Sequence, residues 1–292
     1  MERRFILRGF GAGAFAGLLA FAFARVMAEP VIQQSIDYES GRDAVQDALR
    51  KAAGAVAAPA GPDIFSRGIQ ADVGAGVGLI LFGVALGGLF AVAWIVVQRR
   101  LGDRLRPRAV AALLAAACFL AVFLVPFLKY PANPPAIGHP ETIHARGFLY
   151  LAMVVISVVS LAVATIGARR LSGRFGAWNG TLLAGLGFVA WIALMMAILP
   201  SLGSLHANVV AYGHFATETP QPLKDARGHL VYPGFPADTL FKFRLYSVID
   251  QLILWGTLGL AFGPLVERVL ARAAQRDGDD AGLARAPSAN TV

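Results

Sequence analysis

The chain has one cysteine among its 292 residues, Cys118, so no disulfide can form within it. That cysteine lies inside an apolar run, where a thiol packs as a small hydrophobic side chain. Charge is also scarce. Only 15% of residues are Asp, Glu, Lys or Arg, against about 25% in an ordinary soluble domain. Several signatures are missing. No G-x-x-x-x-G-K-[ST] occurs, which excludes ATP hydrolysis through a P-loop. No H-E-x-x-H and no G-x-S-x-G occurs either, and no nucleophile–base pair can be named, so the chain does not read as an enzyme. The "GAGVG" at 74–78 opens an apolar run and reads as helix packing, not as a dinucleotide fingerprint. The long apolar runs hold almost no ionisable side chain, which speaks against a proton relay along their length.

What the chain does have is apolar surface: 57% of residues are hydrophobic and the mean hydropathy is +0.61. A helix needs roughly 20 apolar residues to cross a bilayer. Six stretches qualify, at 9–28, 74–97, 110–128, 148–168, 181–199 and 247–266. The second carries no charge from end to end, where a solvated helix would show a polar stripe. The expected fold is all-α, a polytopic integral membrane bundle of about six transmembrane helices embedded in lipid. The net charge of +8 does not point to nucleic acid, because the basic residues flank apolar runs in short clusters.

Those clusters give an orientation. Arg3, Arg4 and Arg8 precede the first span; Arg99, Arg100, Arg104, Arg106 and Arg108 join the second to the third; Arg169, Arg170 and Arg174 join the fourth to the fifth; Arg268, Arg272, Arg276 and Arg285 follow the sixth. With six spans these all share one side, and basic loops stay in the cytoplasm. Both termini are therefore expected to be cytoplasmic. The connections 29–73, 129–147 and 200–246 then lie outside, together with all five histidines. The basic start, apolar stretch and small residues before Glu29 also fit a cleaved signal, an alternative that leaves the remaining topology unchanged. Gly9, Gly13 and Gly17 repeat at four residues, a face suited to close helix packing.

Within 29–73, Val45, Leu49, Ala52 and Val56 recur at helical spacing with Asp47 and Lys51 at i,i+4, which predicts an amphipathic helix ended by "APAGPD". Residues 200–246 are rich in Pro and Gly and are expected to be mostly irregular; 271–292 are expected to form a disordered cytoplasmic tail. Arg25 and Glu29 are spaced for a local pair. Glu267, beside Arg268, reads as solvated.

The segment "FLVPFLKYPANPPAIGHPETIHARGFLY" at 123–150 is the most informative. Pro126 removes a backbone donor and predicts a bend in the third span. Lys129 sits where lysines snorkel to the headgroups, with Tyr130 as an interfacial anchor. The next helix is expected to begin at Pro140. Glu141 and His144 then stand at i,i+3, the spacing of carboxylate–histidine metal sites in helical bundles, with His139 near enough to join. A solvated helix start gives the same pattern. His206, His214 and His229 are candidate further ligands, although their spacing matches no structural zinc site. Asp250 and Gln251 fall in the first turn of the sixth span, where an acid either serves function or stabilises a helix start.

The stretch "VPFLKYPANPPAIGHPETI" (125–143) resembles the hallmark of the probable cobalt transporter subunit CbtA family. "EP" at 29–30, "SRGIQ" at 66–70 and "FPADTLFKFRLYSVIDQLILWGTLGLAFG" at 235–263 agree in order and spacing. The resemblance implies the multi-span subunit of a bacterial cobalt uptake system in the cytoplasmic (inner) membrane. It also implies a small single-span, histidine-containing partner subunit and a link to cobalamin regulation. Co²⁺ would be cargo, with Ni²⁺ the alternative, and no cofactor would be held permanently. The matching positions are Lys129, Tyr130, Pro131, Asn133, Pro134, Glu141, Thr142, Phe235, Pro236, Arg244 and Gln251, and the last stretch includes Asp250. His139 and His144 are outside the pattern, which leaves Glu141 the foremost ligand. The family is described with five spans, against six here. The competing expectation is a membrane scaffold that assembles a metal-transport complex without moving the ion.

Overall fold

The computed structural model describes residues 2–54, 65–213 and 218–285. Among the described residues, six helices are long and apolar enough to cross a membrane, and each expected span falls inside one of them to within a residue. They are α1 (Glu2–Ala52), α2 (Arg67–Leu101), α3 (Pro107–Lys129), α4 (Pro140–Phe175), α5 (Ala177–Ile198) and α7 (Ala237–Arg285). A short helix, α6 (His206–Tyr212), and a two-stranded antiparallel hairpin, β1 (Leu223–Lys224) with β2 (Leu230–Tyr232), lie between α5 and α7.

The chain divides into two compact units. The first takes in residues 2–21, 74–116 and 253–285. Here the glycine repeat does what its spacing predicts. A Cβ at Gly9, Gly13 or Gly17 would run into the backbone of α2 at Gly87, Gly83 and Leu79, so only hydrogen lets the two helices approach this closely. Phe5, Phe90, Trp94 and Phe262 pack edge to face beside this seam, with centroids 5.4–5.6 Å apart. Glu267 is not simply solvated: its Oε1 accepts the backbone N–H of Arg108 at 3.3 Å, in the first turn of α3.

The second unit takes in residues 22–54, 65–73, 117–213 and 218–252. The amphipathic helix expected after the first span is not separate from it; α1 continues through a π-helical turn at Ala24–Ala28 into Glu29–Ala52. Val56 and "APAGPD" lie outside the described residues. Asp47 pairs with Arg50 at 3.5 Å instead of Lys51. The expected Arg25–Glu29 pair is also replaced. Arg25 pairs with Asp72, and Glu29 with Arg67. Two short stretches that are distant in sequence, "EP" and "SRGIQ", therefore hold each other through an ion pair.

Residues 200–246 carry more structure than their composition predicts. Beyond α6 and the hairpin, Tyr38 of α1 packs on Tyr232 and Phe235 and donates to the Pro233 carbonyl at 2.9 Å. Arg42 donates to the Gln221 carbonyl at 2.7 Å. The last helix also begins earlier than the span it contains and continues to Arg285, through residues expected to be a disordered tail. Residues 286–292 of that tail lie outside the described residues. In α3, a π-helical turn at Phe119–Leu124 directly precedes the helical turn that carries Pro126. The Ala121 carbonyl in that turn accepts the Ser157 hydroxyl from α4.

Candidate functional site

The connection after α3 is shaped by prolines and then tied down at three points. Lys129 does not reach for headgroups. Its ammonium donates to the Met196 carbonyl at 2.6 Å, in the last turn of α5, satisfying an end-of-helix acceptor. Tyr130, 4% exposed, donates to the Pro200 carbonyl at 2.9 Å. Burial raises the Tyr130 phenol above its usual range, which keeps it a donor. Arg244 of α7 donates through Nε to the Ala132 carbonyl at 3.2 Å and through Nη2 to Asn133 Oδ1 at 3.0 Å. Pro134 is fully buried. Four of the motif positions thus hold this segment against α5, the 200–205 turn and α7.

The next helix begins at Pro140 as predicted, with a 3₁₀ turn before Ile143. His139 Nδ1 accepts the Glu141 N–H at 3.3 Å and so caps this turn. Thr142 is buried, and its Oγ1 lies 2.8 Å from the His139 carbonyl and 2.6 Å from Oε1 of Glu218. A hydroxyl has one proton to give, and the carboxylate is the stronger acceptor.

Glu218 is 1% exposed as a residue, and its side chain is fully buried. Asn208 of α6 holds it from the other side. The amide Nδ2 donates to Glu218 Oε1 at 2.6 Å and to the Leu202 carbonyl at 2.7 Å. The second carboxylate oxygen, Oε2, faces Arg146 Nε at 3.4 Å and accepts no hydrogen bond among the described residues. Arg146 fits here because residue 138 is glycine: a Cβ would lie 2.7 Å from Arg146 Nη1, and the backbone φ of +134° is one that only glycine adopts readily. Glu218 and Arg146 share a cavity of about 360 Å³ with Phe127, Tyr130, Asn133 and Tyr150.

The sequence-predicted ligands are not gathered in this cavity. Glu141, His144, His206 and His229 are exposed. His229 is paired with Asp225 at 3.2 Å. His214 lies outside the described residues. Among the described residues no three His, Cys, Asp or Glu side chains converge to hold a metal ion. Lys129, expected at the headgroups, is engaged with the Met196 carbonyl. Asp250 is half-buried in α7, with Oδ1 unbonded among the described residues, beside Gln251.

Glu218, Arg146 and Asn208 were not singled out by spacing. One signal was available: Glu218 is the lone acidic residue between 200 and 224. Its partners are 10 and 76 positions away, too far for local periodicity to register.

A sequence model of the family described as "Probable cobalt transporter subunit (CbtA)" matches residues 2–267. No curated protein matches the chain, and no solved structure does.

Proposed function

The chain belongs to the probable cobalt transporter subunit (CbtA) family, and from that premise we propose that it takes Co²⁺ up across a bacterial cytoplasmic membrane, collecting the ion on the non-cytoplasmic face. The observation that carries this reading is the cavity walled by motif residues Tyr130–Asn133 with a buried carboxylate in its lining. The arginine-flanked helix ends support an orientation with both termini in the cytoplasm, which puts this cavity outside. Exposed Glu141, His144, His206 and His229, together with His139, then lie on the side from which the ion arrives, where single carboxylate and imidazole donors can meet it. Dispersed single ligands bind a borderline ion weakly and release it quickly, which suits collection better than storage.

The other component of this reading is a small single-span, histidine-containing partner subunit that supplies the ion to the cavity or receives it. Ni²⁺ is the nearest competing cargo, because imidazole and carboxylate donors serve both ions. The reading is transport, with no bond made or broken in the cargo.

The test is ⁵⁷Co uptake in cells expressing this chain with its partner. Uptake above the vector control, reduced in Glu141→Ala at equal expression, is expected. A scaffold instead predicts no uptake by the pair and no Co²⁺ binding by the purified chain.

A further inference from the structure

We infer that Glu218 is the cation ligand of the 360 Å³ cavity, and that Arg146 is its resident counter-ion, displaced when the divalent cation arrives. This deepens the transport reading above and rests on it.

The first support is a deficit of donors. Glu218 Oε2 and Asn208 Oδ1 are both buried acceptors with no hydrogen bond among the described residues. The two side chains that carry them are bonded to each other at 2.6 Å. Reversing the Asn208 amide would not repair this. Its Nδ2 already serves two acceptors, Glu218 Oε1 and the Leu202 carbonyl, and an oxygen in that place would face both. A buried carboxylate oxygen without a donor is costly, and a cation at Glu218 Oε2 removes that cost.

The second support is the slackness of the ion pair. A buried carboxylate normally engages the arginine fork through two parallel bonds. Here the ion pair stands at 3.4 Å between Nε and Oε2, beyond good hydrogen-bond geometry, and Oε2 accepts no hydrogen bond among the described residues. Glu218 itself is fixed, with Thr142 and Asn208 both on Oε1. Arg146 is the movable partner: its side chain is 28% exposed, against 0% for Glu218. It keeps the carboxylate paired at rest and can withdraw toward water.

The third support is chemical. Oxygen donors hold Co²⁺ less tightly than imidazole or thiolate sets. A transport stop must bind firmly enough to fill and loosely enough to empty. Competition from Arg146 lowers the affinity further and ensures that the empty site does not leave a bare buried charge.

The experiment is ⁵⁷Co equilibrium binding to the purified full chain in lipid nanodiscs, for wild type, Glu218→Gln and Arg146→Gln. Glu218→Gln, which keeps the Oε1 acceptor, is expected to weaken Co²⁺ binding about tenfold or more, because it removes the charge the cation meets. Arg146→Gln is expected to tighten it by about tenfold, because it removes the competitor. A purely structural pair predicts that both variants bind no better than wild type. Saturable wild-type binding with unchanged affinity in Glu218→Gln would remove this site and leave the transport reading standing. No saturable binding by wild type would sink that reading and this site together. If Glu218→Gln does not fold, Arg146→Gln decides: tighter binding supports the displacement, and equal or weaker binding overturns it.

Discussion

Lys129 Nζ lies 2.6 Å from the Met196 carbonyl, so the lysine that closes the third span also closes the end of the fifth. A lysine that only snorkelled would be replaceable at little cost. One that satisfies a helix-end carbonyl with a charged donor is not. Lys129→Met is expected to destabilise the chain by about 1.5–3 kcal/mol, the range for a hydrogen bond to a charged group. Thermal unfolding in detergent measures this, and an unchanged midpoint would return Lys129 to the interfacial role.

The glycine seam gives a second, internally controlled prediction. Gly13 has no room for a Cβ, whereas Gly11 on the same helix has nothing within 4 Å. Gly13→Leu is expected to force the two helices apart and cost more than about 3 kcal/mol, at the upper end of overpacking penalties. Gly11→Leu should stay within about 0.5 kcal/mol of wild type, as exposed substitutions do. Expression yield and unfolding midpoint, compared between the two, decide whether packing or glycine itself matters.

Gly138→Ala tests the approach of Arg146. The substitution sets a Cβ 2.7 Å from Arg146 Nη1 and places alanine at φ +134°. Backbone strain of this kind costs of order 1–3 kcal/mol. Lower thermal stability is therefore expected, accompanied by tighter Co²⁺ binding as the guanidinium is pushed from Glu218. Lower stability with unaltered binding would separate the strain from the displacement.

Orientation is tested by labelling. In a Cys118→Ala background, Asp225→Cys in the hairpin turn should react with a membrane-impermeant maleimide in intact spheroplasts. Arg104→Cys, between the second and third spans, should react only after lysis. The reverse pattern would invert the topology and with it the direction of transport.

The spans, the glycine seam and the helix start at Pro140 were legible because each is a local pattern: a run of apolar residues, a four-residue repeat, a proline at a first turn. Pro126 marked an irregular place in the third span but not its form, a π-helical turn, since that form depends on whether a neighbour such as Ser157 can donate to the carbonyl released there. The charge pairs were misread for the opposite reason. Periodicity offers Glu29 only Arg25, yet Arg67, 38 positions away, is the partner. The same holds for the last helix, where polar composition alone predicted a tail and the helix instead continues to Arg285.

Sequence alone determined that this chain is a lipid-embedded helical bundle and which segment carries its signature, because apolar length and charge placement act on each segment independently. Tertiary structure decided which acid matters to the cavity. Glu141 carries the helix-start spacing but remains at the surface. Glu218 is buried with Thr142, Asn208 and Arg146 around it. Burial and donor supply are properties of a neighbourhood that only the folded chain assembles, which is why they separate Glu218 from the other acids.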